Sequence, residues 1–465
     1  MTGAISAVLS EVAGTRMYAR NAFRLVELPT NATRRQILER KQRITTMRQV
    51  DPELVSQDVV GAFDRLLGDP RRRLVDEIFW FWDVETMDCG CSGSLHKDHD
   101  KAVRAHFEVL QRENRGNIVR ETNQELQRTM TMWSATAELW GKVLRRAALW
   151  DHVRHRIAAL DDRQLDESVI DVLRDEVPTV LVKPLIQFAG DAENGQQQRA
   201  EVARQWPVPS RVVDDLLESV VAPAYEMVDD VTSEAHRLVE AGDTDAAVQR
   251  MAELVPTLRR MNALTPSDRH RRTATARNSV ASVYNNCALT LVKRDGVVSP
   301  ARATGDGWLD EARKFATSPQ TIETIEQNRR AIEETYAEVM NIQRRVETLV
   351  HRGQQNEAVL ILTTLRSQLD GDLGSVDLEA MLRRLGVPAA GAGRSTTPRY
   401  PSDASYPSYQ RPGWQPPRSN RKLVVAVVIA LLMLVGWLLL RSGSEGSART
   451  MPTPWSVGIV HGGMT

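Results

Sequence analysis

Leu423 to Leu440, LVVAVVIALLMLVGWLLL, is an uninterrupted apolar run of 18 residues in which only Trp437 carries a hydrogen-bonding side chain. As a helix it is roughly 27 Å long, close to the hydrocarbon thickness of a bilayer. Arg421 and Lys422 bound one end and Arg441 the other, and Trp437 falls near the far interface, as aromatic belts do. The expectation is a single transmembrane helix over 422–441, touching lipid through 423–440. Arg411, Arg418, Arg421 and Lys422 precede it, against Arg441 and Arg449 after it. The positive-inside rule then places the N-terminal bulk in the cytoplasm and leaves 442–465 as a short non-cytoplasmic tail. The opening MTGAISAVLSEVAGTR has no basic n-region and carries Glu11 within its apolar stretch, which does not suit a secretory signal. Its Ile5, Val8, Leu9 and Val12 suit a short amphipathic helix instead.

The rest of the 465 residues is long enough for two or three folded units. Helix formers dominate and β-branched alternation is scarce, so the fold class is all-α. Lys+Arg and Asp+Glu are equal at 60 each, which removes any global electrostatic case for nucleic acid. The basic run RHRRTATAR (269–277) lacks interleaved aromatics and suits a solvated loop. Three cysteines in a chain of this length give no disulfide framework and suit a reducing compartment.

Residues 386–421 contain seven prolines among small polar residues. Such a stretch cannot bury enough apolar surface to fold and is expected to be a disordered linker, either a spacer or a Pro-Tyr docking tract. Upstream, 97–190 reads as a helical domain whose Trp133, Leu139, Trp140, Val143, Leu144 and Ala147 share a face, and GDAENGQQQ (190–198) reads as a loop. Over 206–385, LVEAGDTDAAVQRMAEL (238–254) aligns without gaps on LVHRGQQNEAVLILTTL (349–365), both giving L-V-x-x-G-x-x-x-x-A-V. A glycine closing one helix in a left-handed cap and an alanine admitting the next make a helical hairpin. VYNNCALTLVKRDG (283–296) with WLDEARKFA (308–316) forms a third such pair. These units resemble tetratricopeptide-type hairpins, a partner-binding solenoid fold; a generic helical bundle is the alternative.

The N-terminal 1–85 reads as a separate helical module, bounded by a turn-rich loop over 86–96 that contains CGCSGS. In it, NAFRLVELP suits a short first helix and turn. TNATRRQILERKQRITTMRQV suits a second helix, with Thr33 and Gln36 at capping-box spacing and Ile37, Leu38, Ile44 and Met47 on one face. Val59, Val60, Phe63, Leu66 and Leu67 form the stripe of a third. DPRRRLVDE then follows, similar to the ending D-P-x-x-R-x-x-Y-D but without its tyrosine. Along 21–76 this resembles a J domain, the module by which co-chaperones stimulate a DnaK-type ATPase. The family works through a His-Pro-Asp tripeptide between its second and third helices. Here that loop reads RQVDPELVS, with Asp51 and Pro52 but no histidine before His96. The resemblance therefore implies a scaffold without its trigger. What it retains is a basic second helix, Arg34, Arg35, Arg40, Lys41 and Arg43, which in the family meets an acidic chaperone surface; a retained fold with a solvated basic face is the alternative.

No Walker A loop, G-x-G-x-x-G, G-x-S-x-G or H-E-x-x-H is present, and His152 and His155 in WDHVRHR lack the glutamate of a zinc protease. No catalytic residue or cofactor is expected. The one cluster with metal-ligand chemistry is CGCSGSLHKDHDKAVRAH, which brings Cys89, Cys91, His96 and His99 together, with His106 following. Its spacing matches no standard structural-zinc pattern, and a loop with ordinary thiols is the simpler reading. The expectation is a membrane-anchored, non-enzymatic interaction scaffold or chaperone adaptor with protein partners, possible DnaK-type chaperones among them. The alternative is a metal- or thiol-dependent membrane protein built on that cluster.

Overall fold

The computed structural model describes residues 2–83, 89–116, 122–369 and 371–387, all within one compact unit. Among the described residues there is no strand, so the fold is all-α. No helix among them is long and apolar enough to cross a membrane. The expected span 422–441, the tail 442–465 and the linker beyond Val387 lie outside the described residues.

Helix α1 (Thr2–Val12) buries Ile5, Val8, Leu9 and Val12 against α5 (Pro70–Ile78) and α9 (Ser168–Asp191), and so belongs to the main core. Between α1 and α5 lie α2 (Ala22–Val26), α3 (Arg34–Val50) and α4 (Gln57–Gly68). The starts of α2, α3 and α5 are written in side chains that satisfy otherwise orphaned N–H groups. The Asn21 side chain accepts from the Phe23 and Arg24 amides, Thr33 and Gln36 form a reciprocal capping box, and Asp69 caps α5 ahead of Pro70. Ala22, Phe23, Val26, Ala32, Ile37, Ala62, Phe63 and Leu66 make a small core of their own.

The apolar face expected on α3 needs correction. Ile37 is fully buried, but Leu38 and Met47 remain 48% and 47% exposed. On the helical wheel those two flank Ile37 by about 100° and 80° on opposite sides. α3 packs against α4 and the short turn at 52–54, and so small a neighbouring surface covers a narrow stripe.

The seam between this small core and the body is IFWFW. Phe79 and Trp82 are fully buried in the main core, while Trp80 packs against both cores. The body continues with α6 (Gly93–Gly116), α7 (Asn123–Leu144), α8 (Ala147–Leu160), α9 and α10 (Gln196–Ala203). α6 begins three residues before His96, inside the loop expected over 86–96, and α10 begins inside the loop expected over 190–198. Trp133, Trp140 and Val143 are fully buried as their shared face requires, whereas α7 ends at Leu144 and Ala147 is exposed at the start of the next helix.

The C-terminal half comprises α11 (Ser210–Glu240), α12 (Thr244–Ala252), α13 (Val255–Leu264), α14 (Arg271–Asp295), α15 (Ala301–Phe315), α16 (Pro319–His351), α17 (Gln355–Gln368) and α18 (Ser375–Arg384). The aligned segments adopt the same turn. After α11 the Asp243 amide donates to Leu238 O at 2.9 Å with Gly242 at φ +84°, and after α16 the Gln354 amide donates to Leu349 O at 2.9 Å with Gly353 at φ +75°. Both are Schellman closures, and the aligned alanines, Ala247 and Ala358, are both fully buried. α14 and α15 pack as the third pair. RHRRTATAR is not a loop: from Arg271 it is the first turns of α14, where Arg272 lies over the Tyr225 ring at 4.4 Å.

Candidate functional site

The buried core runs from Ile5 to Leu382 across the boundaries drawn near 85–97 and 190–206, and a group of cysteine and histidine side chains lies on the first of them. Asp83, in the left-handed region at φ +50°, ends the segment that leaves α5. The Trp82 and Asp83 amides donate to the two carboxylate oxygens of Asp100 at 2.7 and 3.0 Å, which holds this turn against α6. When the described chain resumes at Cys89, it lies against α6 and α8.

There the Cys89 Sγ is 3.5 Å from His96 Nε2 and 3.5 Å from His152 Nδ1. The three donor atoms all lie within 4.8 Å of one another. Beside them, Cys91 Sγ is 3.3 Å from His155 Nδ1. The histidines of α8 thus face the two cysteines from 60 or more positions away, because residues three apart on a helix share a side. His96 and His152 are buried, Cys89 and Cys91 half-buried, and His155 exposed.

Burial lowers the His96 pKa and pushes that of His152 down to about 3, aided for His152 by the neighbouring imidazoles. Both rings are therefore neutral near pH 7, the form that offers a lone pair. The Cys91 thiol is pushed up to about 11, by burial first and then by Cys89 beside it. Soft sulfur with borderline imidazole nitrogen is the donor set of zinc.

His99, expected in this cluster, is not part of it. Its Nε2 lies 2.8 Å from Ile78 O, one of the carbonyls left open at the end of α5, and its ring stacks on Trp82 at 3.6 Å. His152 stacks on the same indole at 4.0 Å. His106, ten residues after His96, is roughly 15 Å further along α6; its Nδ1 meets Tyr18 Oη at 2.9 Å. The residues that sequence reasoning set aside, His152 and His155, are the ones the fold delivers. The available signal was H-x-x-H on an amphipathic helix in a chain that also holds C-x-C.

The basic residues of α3 divide. Arg34 donates to Leu67 O at 3.2 Å, Arg40 donates to Val26 O at 3.1 Å and pairs with Glu27, and Lys41 pairs with Asp64 at 3.0 Å. These three tie α3 to its neighbours. Arg35 pairs with Glu39 along its own helix, and Arg43 is exposed. Asp51 ends α3 and accepts the Glu53 amide at 3.0 Å, and Pro52 opens a single 3-10 turn to Leu54. Around that turn Val50 and Leu54 are 84% and 67% exposed.

Comparison with family models, with curated proteins and with solved structures returned no match for this chain.

Proposed function

We propose that this protein is a non-enzymatic interaction scaffold, a chaperone adaptor held at a membrane by residues 423–440, with its N-terminal bulk in the cytoplasm. Its J-like module docks a protein partner without stimulating a DnaK-type ATPase, and the hairpins of the C-terminal half offer further docking surface in the manner of tetratricopeptide units. The observation that carries this reading is the bare tip of α3. Met47, Val50 and Leu54 are exposed aliphatic side chains beside exposed Arg43 and Arg48, at the loop where a J domain would carry its tripeptide. Clustered exposed aliphatics on an otherwise polar surface mark an interaction site. Asp51 caps the following turn, and the loop presents an apolar knob.

The test is paired. A DnaK-type chaperone is incubated with the full chain, and both ATP turnover and complex formation are measured. The expected result is binding, lost in the Val50→Ser, Leu54→Ser double variant, with turnover unchanged. A clear rise in turnover, or binding that ignores the double substitution, overturns the reading.

A further inference from the structure

The Cys89, His96 and His152 arrangement has a dimension that can be compared with coordination chemistry. Tetrahedral zinc holds sulfur at about 2.3 Å and imidazole nitrogen at about 2.0 Å, so a sulfur-to-nitrogen edge of its coordination polyhedron is about 3.5 Å. Both sulfur-to-nitrogen separations at Cys89 are 3.5 Å. The three donors also come from three different elements: the loop before α6, the first turn of α6, and α8.

Hydrogen bonding alone serves this group poorly. A thiol can donate its one proton to only one of the two imidazole nitrogens that face the Cys89 sulfur, which leaves the other with at most a weak N–H to sulfur contact. A cation at the centre would be bound by the thiolate and by both lone pairs together.

We propose that Cys89, His96 and His152 bind a structural zinc ion, with Cys91 as the fourth ligand. Cys91 is two residues from Cys89 and lies in a short non-helical segment where its side chain can turn inward. Two thiolates and two neutral imidazoles leave the site with no net charge, which suits a half-buried position. Each cysteine loses its proton to solvent as the metal enters. His155 stays outside the coordination sphere, against Cys91. The ion would pin the loop that follows the J-like module to α8, next to the Arg156–Glu77 contact between α8 and α5. It would thereby fix the orientation of the N-terminal helices on the body. This inference does not depend on the adaptor reading.

The test is zinc content and cobalt spectroscopy of the full chain. About one equivalent of zinc per chain is expected after purification without chelator. Cobalt(II) should give tetrahedral visible bands together with thiolate-to-cobalt charge transfer. Cys89→Ser and His152→Ala should lose the ion. Cys91→Ser should lower zinc affinity at least tenfold and reduce the charge-transfer band, while His155→Ala and Cys287→Ala should retain one equivalent. If a ligand variant fails to fold, the wild-type cobalt spectrum still decides. Absence of charge-transfer bands in the reduced wild-type chain overturns the site. Retention of full zinc by Cys89→Ser overturns it too, and loss in His155→Ala with retention in Cys91→Ser overturns the assigned fourth ligand.

Discussion

Arg156 on α8 grips Glu77 on α5 with two hydrogen bonds, Nε to Oε2 at 2.8 Å and Nη2 to Oε1 at 3.2 Å. Glu77 also takes Arg73 Nε at 3.2 Å, and Arg73 reaches on to Ala32 O at 2.7 Å. One nearly buried carboxylate therefore holds two guanidinium groups at the junction of the small core and the body. Glu77→Gln leaves both without a counter-charge and should destabilise the fold by about 3–5 kcal/mol. Arg156→Met leaves the Arg73–Glu77 pair standing and should cost clearly less. Denaturant midpoints of the two variants check the order; a larger loss for Arg156→Met would contradict it.

Burial pushes the His106 pKa down to about 3. The unfolded chain takes up that proton near pH 6.5, so this group leaves stability unaffected above about pH 6.5 and removes it as pH falls toward 3, by up to about 1.4 kcal/mol per pH unit. Asp76 works the other way. Its pKa is raised from 3.8 to about 6, chiefly by burial, so the folded state holds the extra proton between those values and gains stability as pH falls. Comparing wild type with His106→Gln cancels the Asp76 contribution. Urea unfolding at pH 7 and pH 5 should show a smaller acid loss in the variant. Equal losses would mean that His106 is not buried neutral.

Gly190 sits where α9 meets α11. A Cβ built there would clash with Val220 Cγ1, whereas one at Gly68 would meet nothing within 4 Å. Gly190→Ala should cost about 1–3 kcal/mol by overpacking, and Val220→Ala in the same chain should recover part of it. Gly68→Ala should change stability by no more than about 0.5 kcal/mol. Thermal melts of the three variants test the close approach.

The tip of α3 and the core beneath it should separate cleanly in stability measurements. Val50→Ser and Leu54→Ser alter side chains that are already 84% and 67% exposed, so each should stay within about 0.5 kcal/mol of wild type. Phe63→Ala empties the centre of the small core, where the side chain is 1% exposed, and should cost about 3–5 kcal/mol. A large loss from the tip substitutions would mean that they serve the fold and not a partner.

Local chemistry made much of this molecule readable in advance. The Thr33–Gln36 box, the Asp69–Pro70 start, the left-handed turns at Gly242 and Gly353 and the buried alanines after them involve residues within a few positions of one another. Backbone stereochemistry and N–H satisfaction act at that range, so these features follow from the residue string. The apolar faces of α1, α4 and α7 were legible for the same reason, since a helix's period is a local property. Leu38 and Met47 differ from the expected face because periodicity does not specify how much of a helix its neighbours cover, and Ala147 because α7 ends at Leu144 and a new helix begins.

The candidate metal centre divides along the same line. C-x-C and the first histidine of α6 stand close together in the chain, and their donor chemistry is visible there. Two choices were left to the tertiary structure: which further imidazole joins them, and which nearby one does not. His99 is three residues from His96, yet it turns to the open carbonyl of Ile78 and the face of Trp82. His152 is 63 positions from Cys89, yet its Nδ1 arrives at 3.5 Å. Sequence determined that these helices form and which donors they carry. Packing of α8 against α5, held by Arg156 and Glu77, decided which donors meet, because a contact between distant segments depends on how their helices dock.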